Sequence, residues 1–153
     1  MESETLSNIG QLFLDIGHPV PASAAFRAVI ARASSDRVLI PALGGLAMAA
    51  SRTGDRHVVE WVRREIAARA RAGATPYVVA SAQLDLVRAW SELNAHERAE
   101  AARRLALAIA LEHRFHEIIH HAEAPVVVER PVRQELPASA EAVADSVLQL
   151  VGA

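Results

Sequence analysis

Residues 5–33 read TLSNIGQLFLDIGHPVPASAAFRAVIARA, and this stretch decides the fold. Leu6, Ile9, Phe13 and Ile16 recur at three- and four-residue spacing, the apolar stripe of an amphipathic helix. Gly17-His18-Pro19 ends that helix. Pro21 suits the first turn of the next, where its missing N–H would be unpaired anyway. Over 21–33, Ala22, Ala25, Phe26, Val29 and Ile30 then fall on one side. A helix-turn-helix unit of this kind cannot bury its apolar face alone and must stack on a neighbour.

The same texture returns twice, with turns at Gly54-Asp55 and Asn94. The Ser34-Ser35-Asp36 cluster stops the second helix and offers caps for the third. That third helix runs from about Arg37 or Ile40 to Arg52, Pro41 favouring the later start. Its Gly44-Gly45 pair costs about 1 kcal/mol per glycine relative to alanine, which points to a tight helix crossing. A fourth helix spans 55–71, headed by Asp55 and closed by Gly73, and carries Val58, Val59, Trp61, Val62 and Ile66. Thr75-Pro76 opens a fifth that reaches about Leu93, and a sixth follows from about His96 to Leu111. Apart from Val126-Val127-Val128, no segment shows the alternation of a half-buried strand. The fold class expected is all-α, built of antiparallel helix-turn-helix repeats.

Aligned on the turns, the first unit sets Ile9-Gly10, Phe13, Gly17, Ala22, Phe26 and Val29 in a pattern of small and large positions that resembles the tetratricopeptide repeat (TPR). The second matches through Leu46-Ala47, Ala50 and Gly54-Asp55, but places Val59, Arg63 and Ile66 where the family has Ala, an aromatic and Ala. The third returns with Leu86, Trp90, Asn94, Ala99 and Ala106. Turn-to-turn spacings of 37 and 40 residues exceed the family's usual period of about 34. The resemblance covers about residues 5–111 and implies a TPR-like solenoid of about three repeats. It also implies a non-catalytic protein-protein interaction module, a scaffold, adaptor or subunit of a larger assembly. Its partner, another protein or peptide, would lie in a concave groove lined by the first helix of each unit. Candidate groove residues are Asn8, Gln11, Asp15, Arg52, Gln83 and Arg88, whereas Trp61 and Trp90 read as core. A plain bundle of Ala-rich helices is the alternative architecture.

Composition narrows the function classes. At 153 residues the chain suffices for one domain with a real core. Cysteine is absent, so neither disulfides nor thiolate metal sites are available, and a reducing cytoplasm is compatible. The acidic start Met1-Glu2-Ser3-Glu4 is unlike a signal peptide, and no run has the length of a membrane span. All sixteen cationic side chains are Arg, a bias expected of a bacterial, GC-rich genome. Residues 52–71 carry six Arg among Asp55, Glu60 and Glu65, and 112–145 carry seven acids against three Arg. Arginine interleaved with acids at helical spacing is a solvated face, so no nucleic-acid partner is expected. The opposite polarity of the two regions suits head-to-tail association, that is, a homo-oligomer.

One stretch carries possible chemistry. His116-Glu117-Ile118-Ile119-His120 is an H-E-x-x-H motif, which on a helix sets two imidazoles on one face for zinc, with Glu117 as base. Glu141 lies 21 residues past His120 and precedes Asp145 by four, similar to the third-ligand arrangement of thermolysin-like metallopeptidases. The alternative function is therefore a zinc-dependent hydrolase with His116, His120 and Glu141 as ligands. Otherwise no cofactor is expected. Against the hydrolase, the chain has no upstream sheet to hold an extended substrate. A short capping helix starting at His116 would bury Phe115, Ile118 and Ile119 and turn its histidines to water. No glycine pattern suggests a nucleotide loop, and no Ser or Cys sits in a nucleophile motif.

The expected organisation is a repeat domain over 1–123, a Pro-containing extended linker over 124–137 and a C-terminal amphipathic helix over 138–153. Val143, Val147, Leu148, Leu150 and Val151 give that last helix its apolar side. It would cap the last repeat or dock on another chain, and capping is favoured.

Overall fold

A computed structural model of the protein describes residues 2–128 and 130–152. Met1, Glu129 and Ala153, which fall within the three expected segments, lie outside the described residues. The described residues form eight helices and no strand: α1 (Ser3–Asp15), α2 (Pro19–Arg32), α3 (Asp36–Arg52), α4 (Arg56–Arg71), α5 (Pro76–Glu92), α6 (His96–His113), α7 (His116–Glu123) and α8 (Ala138–Gly152). Among them, no helix is long and apolar enough to cross a membrane.

The three turns read from the sequence have one geometry. Gly17, Gly54 and Asn94 all adopt positive φ, at 80°, 74° and 56°. Each next N–H then donates back into the preceding helix: His18 to the Phe13 carbonyl at 2.8 Å, Asp55 to Ala50 and Ala95 to Trp90 both at 2.9 Å. A left-handed residue thus satisfies the end of one helix and reverses the chain into the next. Asp55 also caps α4 by accepting from the Val58 N–H at 3.2 Å.

Two boundaries differ from expectation. Helix α2 starts at Pro19 rather than Pro21, because both prolines fall in the first turn, where no N–H is needed. Helix α3 starts at Asp36 and runs through Pro41. Arg37 and Pro41 are both exposed, so the carbonyl that loses its partner has water to bond instead.

Each of α1, α3 and α5 packs on the helix that follows it, and α1 on α3, α3 on α5 and α5 on α7. One apolar core joins α1 to α6 and α8, and a smaller cluster of Ala80, Ala106, Ala110 and Ile118 joins α5, α6 and α7. The buried small residues allow the close approach. A Cβ on Gly10 would stand 2.8 Å from the Phe26 ring and one on Gly45 2.5 Å from it, so that ring wedges α1, α2 and α3 together. Gly44 serves a different neighbour, the Asp85 carboxylate on α5.

Three further expectations are corrected. Trp90 is buried, but Trp61 is 40 % exposed, since it stands at the edge of the α4 stripe outside the core formed by Val59, Val62 and Ile66. Gln83 lies buried inside α5 rather than on a groove, because α5 packs on α3, α4, α6 and α7 and keeps little free surface. Helix α8 does not close the last unit. It packs on α2, in the first hairpin, and contributes Ala144 and Val147 to the main core. The last unit is closed by α7, which buries Ile118 and half-buries Phe115 and Ile119.

Candidate interaction face

Equivalent positions of α1, α3 and α5 fall in rows, because the turn-to-turn spacings carry Gln11 to Met48 and Arg88, and Asp15 to Arg52 and Glu92. Gln11, Met48, Arg52, Arg88 and Glu92 of these rows line the face over which the segment after α7 runs. Ala124 to Val127 border a cavity of about 220 Å³ with Leu84, Val87 and Arg88. Val126 to Val128 border a second, of about 340 Å³, with Gln11, Met48, Arg52, Arg88 and Glu92. Arg130 and Pro131 then border a third, of about 540 Å³, at the Gly17, Gly54 and Asn94 turns. The segment is anchored where it leaves the face: the Gln134 N–H donates to the Ile16 carbonyl at 3.0 Å, and the Gln134 carbonyl bonds to His18 Nε2.

A polar cluster lies beneath this segment. Arg52 donates to the Leu14 carbonyl at 2.7 Å and faces Glu92 at 3.8 Å. The Ser51 hydroxyl donates to Glu92 Oε2 at 2.8 Å, while Glu92 Oε1 is buried with no hydrogen-bond partner. Farther along α5, Arg88 pairs with Asp85 at 3.6 Å. Burial pushes the Asp85 carboxyl up to about 6, and the Arg88 charge works against that rise. The face is thus a patchwork of both signs around apolar side chains.

Of the candidate groove residues, Gln11, Arg52 and Arg88 border the cavities. Asn8 and Asp15 are exposed on α1, and Asp15 accepts from Gln11 Nε2 at 2.9 Å. Neither borders these cavities. Asp85, Met48 and Glu92 were not foreseen. The row relationship that carries Arg52 onto Glu92 was the signal available for the last of them.

The zinc ligand set is not assembled. His116 and His120 lie exposed on α7, which packs on α5 and α6, whereas Glu141 lies on α8 against α2. Among the described residues, no group of three or more metal-ligating side chains converges. His113 stacks on Phe115 with ring centroids 5.4 Å apart. Compared with known proteins, the chain matches no protein-family model, no curated protein and no solved structure.

Proposed function

We propose that the protein is a non-catalytic interaction module, a TPR-like helical repeat whose α1–α3–α5 face binds an extended segment of a protein partner. It would act as an adaptor or as one subunit of a larger assembly. The observation that carries this reading is the course of residues 124–128 and 130–131, a stretch of neither helix nor strand that borders cavities along that very face. The repeat assignment is supported by the successive packing of α1, α3, α5 and α7 and by the buried small residues Gly10, Ala22, Ala47, Ala99 and Ala106 at the positions where paired helices approach. A cytoplasmic location fits the lack of cysteine.

Affinity capture of the tagged protein from its native host tests the reading, with Arg88→Glu on the face and Arg64→Glu on the exposed side of α4 as paired variants. Recovery of a stoichiometric protein by the wild type and by Arg64→Glu, and its loss from Arg88→Glu, is expected. Equal recovery by both variants would move the partner off this face.

A further inference from the structure

The segment between α7 and α8 covers the face without filling it. Val127 is 71 % and Val132 84 % exposed, and cavities of about 340 and 540 Å³ stay open beneath. Valines left this open gain little from the hydrophobic effect. The segment is fixed chiefly at its far end. There Gln134 bonds to Ile16 and His18, and the Arg133 backbone is close enough to Gly17 that a Cβ would stand 2.8 Å from the Arg133 Cα.

Both open cavities share a border of Arg52 and Glu92. The Glu92 side chain is 4 % exposed, and its Oε1 accepts no hydrogen bond, with the Arg52 Nε facing it only at 3.8 Å. A desolvated carboxylate oxygen in this state gains strongly from any donor delivered to it, most of all a charged one. Arg130 and Pro131 border the cavity that Glu92 lines, yet among the described residues no ion pair joins Arg130 to Glu92. The segment brings Arg130 to the carboxylate's cavity without pairing with it, so Arg52 stays the one cation facing Glu92 among the described residues.

Building on the interaction-module reading, we propose that this groove recognises an extended, valine-rich partner segment carrying an arginine, with Glu92 as the carboxylate that receives it. Residues 125–128 and 130–134 occupy the groove in cis as a stand-in, and the partner's segment displaces them. The internal occupant sets the chemistry of the external one: an extended backbone, apolar β-branched side chains over the first cavities, and a cation next to a proline at the third. Because the stand-in is tethered, it is present at high effective concentration and holds the affinity of the free site in check.

The probe is a labelled peptide of the sequence PVVVERPVRQ, residues 125–134, titrated into the full chain. Gly17→Asn keeps a residue that tolerates the left-handed turn but drives its Cβ into the Arg133 backbone. Val147→Asp loosens the same far end by undocking α8, which follows it in the chain. Gly73→Asn, at a positive-φ position with nothing within 4 Å of a Cβ, is the control. The expected result is at least tenfold tighter binding to Gly17→Asn and Val147→Asp than to wild type, and unchanged binding to Gly73→Asn. A peptide with alanine in place of the arginine matching Arg130 should bind the opened variants at least tenfold more weakly. Equal affinity of wild type and both opened variants, or no binding at all, overturns the displacement. Binding indifferent to that arginine overturns recognition by Glu92. In either event a partner lost from Arg88→Glu would leave the interaction module standing with a ligand of other chemistry, whereas indifference to Arg88 as well removes both.

Discussion

The ring of Phe26 on α2 rests against the Cα of Gly45 on α3, with no room between them for a methyl group. Gly45→Ala is therefore expected to destabilise the protein by about 1–3 kcal/mol through overpacking, less the roughly 1 kcal/mol that alanine gains over glycine in a helix. Urea unfolding of the variant and of Gly45→Ala in a Phe26→Leu background checks this. The smaller side chain should remove most of the loss, and an equal loss in both backgrounds would mean that Gly45 does not act by seating the ring.

Asp85 makes stability depend on pH. Its side chain keeps 30 % of its surface, but the carboxylate is pressed on Gly44, and burial raises its pKa from 3.8 to about 6. Between those values the folded chain holds a proton that the unfolded chain has released. The associated stability is complete below about pH 4 and is lost as pH rises through about 6. Asp85→Asn should flatten this window and gain on the order of 1–3 kcal/mol relative to wild type at pH 7, toward the lower end because solvent reaches the group. Unfolding free energies of both proteins from pH 4 to 7 give the comparison, and parallel curves would rule out the carboxyl as the source.

Removing the Ser51 hydroxyl leaves both oxygens of a buried carboxylate without a hydrogen-bond donor. Ser51→Ala should cost about 1–3 kcal/mol. In a double-mutant cycle with Glu92→Gln, the two changes should couple, since an amide tolerates the loss better than a charge. Additive effects would show that the hydroxyl acts on something other than Glu92.

For the H-E-x-x-H motif, Glu141→Ala is expected to leave zinc affinity unchanged, because α8 lies on α2 while the two histidines lie on α7. His116→Ala should abolish whatever zinc binding calorimetry detects. A tenfold loss of affinity on Glu141→Ala would restore the three-ligand arrangement.

What was legible in the chain was what acts locally. Gly17, Gly54 and Asn94 mark turns because a left-handed residue must stand there, and Gly44-Gly45 marks a crossing because only a missing Cβ explains two glycines inside a helix. Trp61 and Gln83 misled for opposite reasons. Periodicity gives the direction of an apolar stripe but not its width, and polarity says nothing of a helix enclosed on several sides. The path of 124–137 was beyond reach, since an extended segment has no period to fix its register. Nor could the chain alone say where α8 goes. The small apolar faces of α2 and of the last hairpin are too alike in composition, and long-range shape decides between them.

The docking of α8 on α2 also has a consequence for synthesis. Contacts among α1 to α7 join helices near in sequence and can form in the order in which they emerge from the ribosome. The face of α2 that receives α8 waits instead for residues 138–152, about 120 residues later, which at 5–20 residues per second is roughly 6–25 s. Throughout that interval the nascent first hairpin carries an uncovered apolar surface, and the segment leading to α8 has not yet crossed the face. During its own translation, the protein offers neighbours in the cell a surface that the finished molecule has closed.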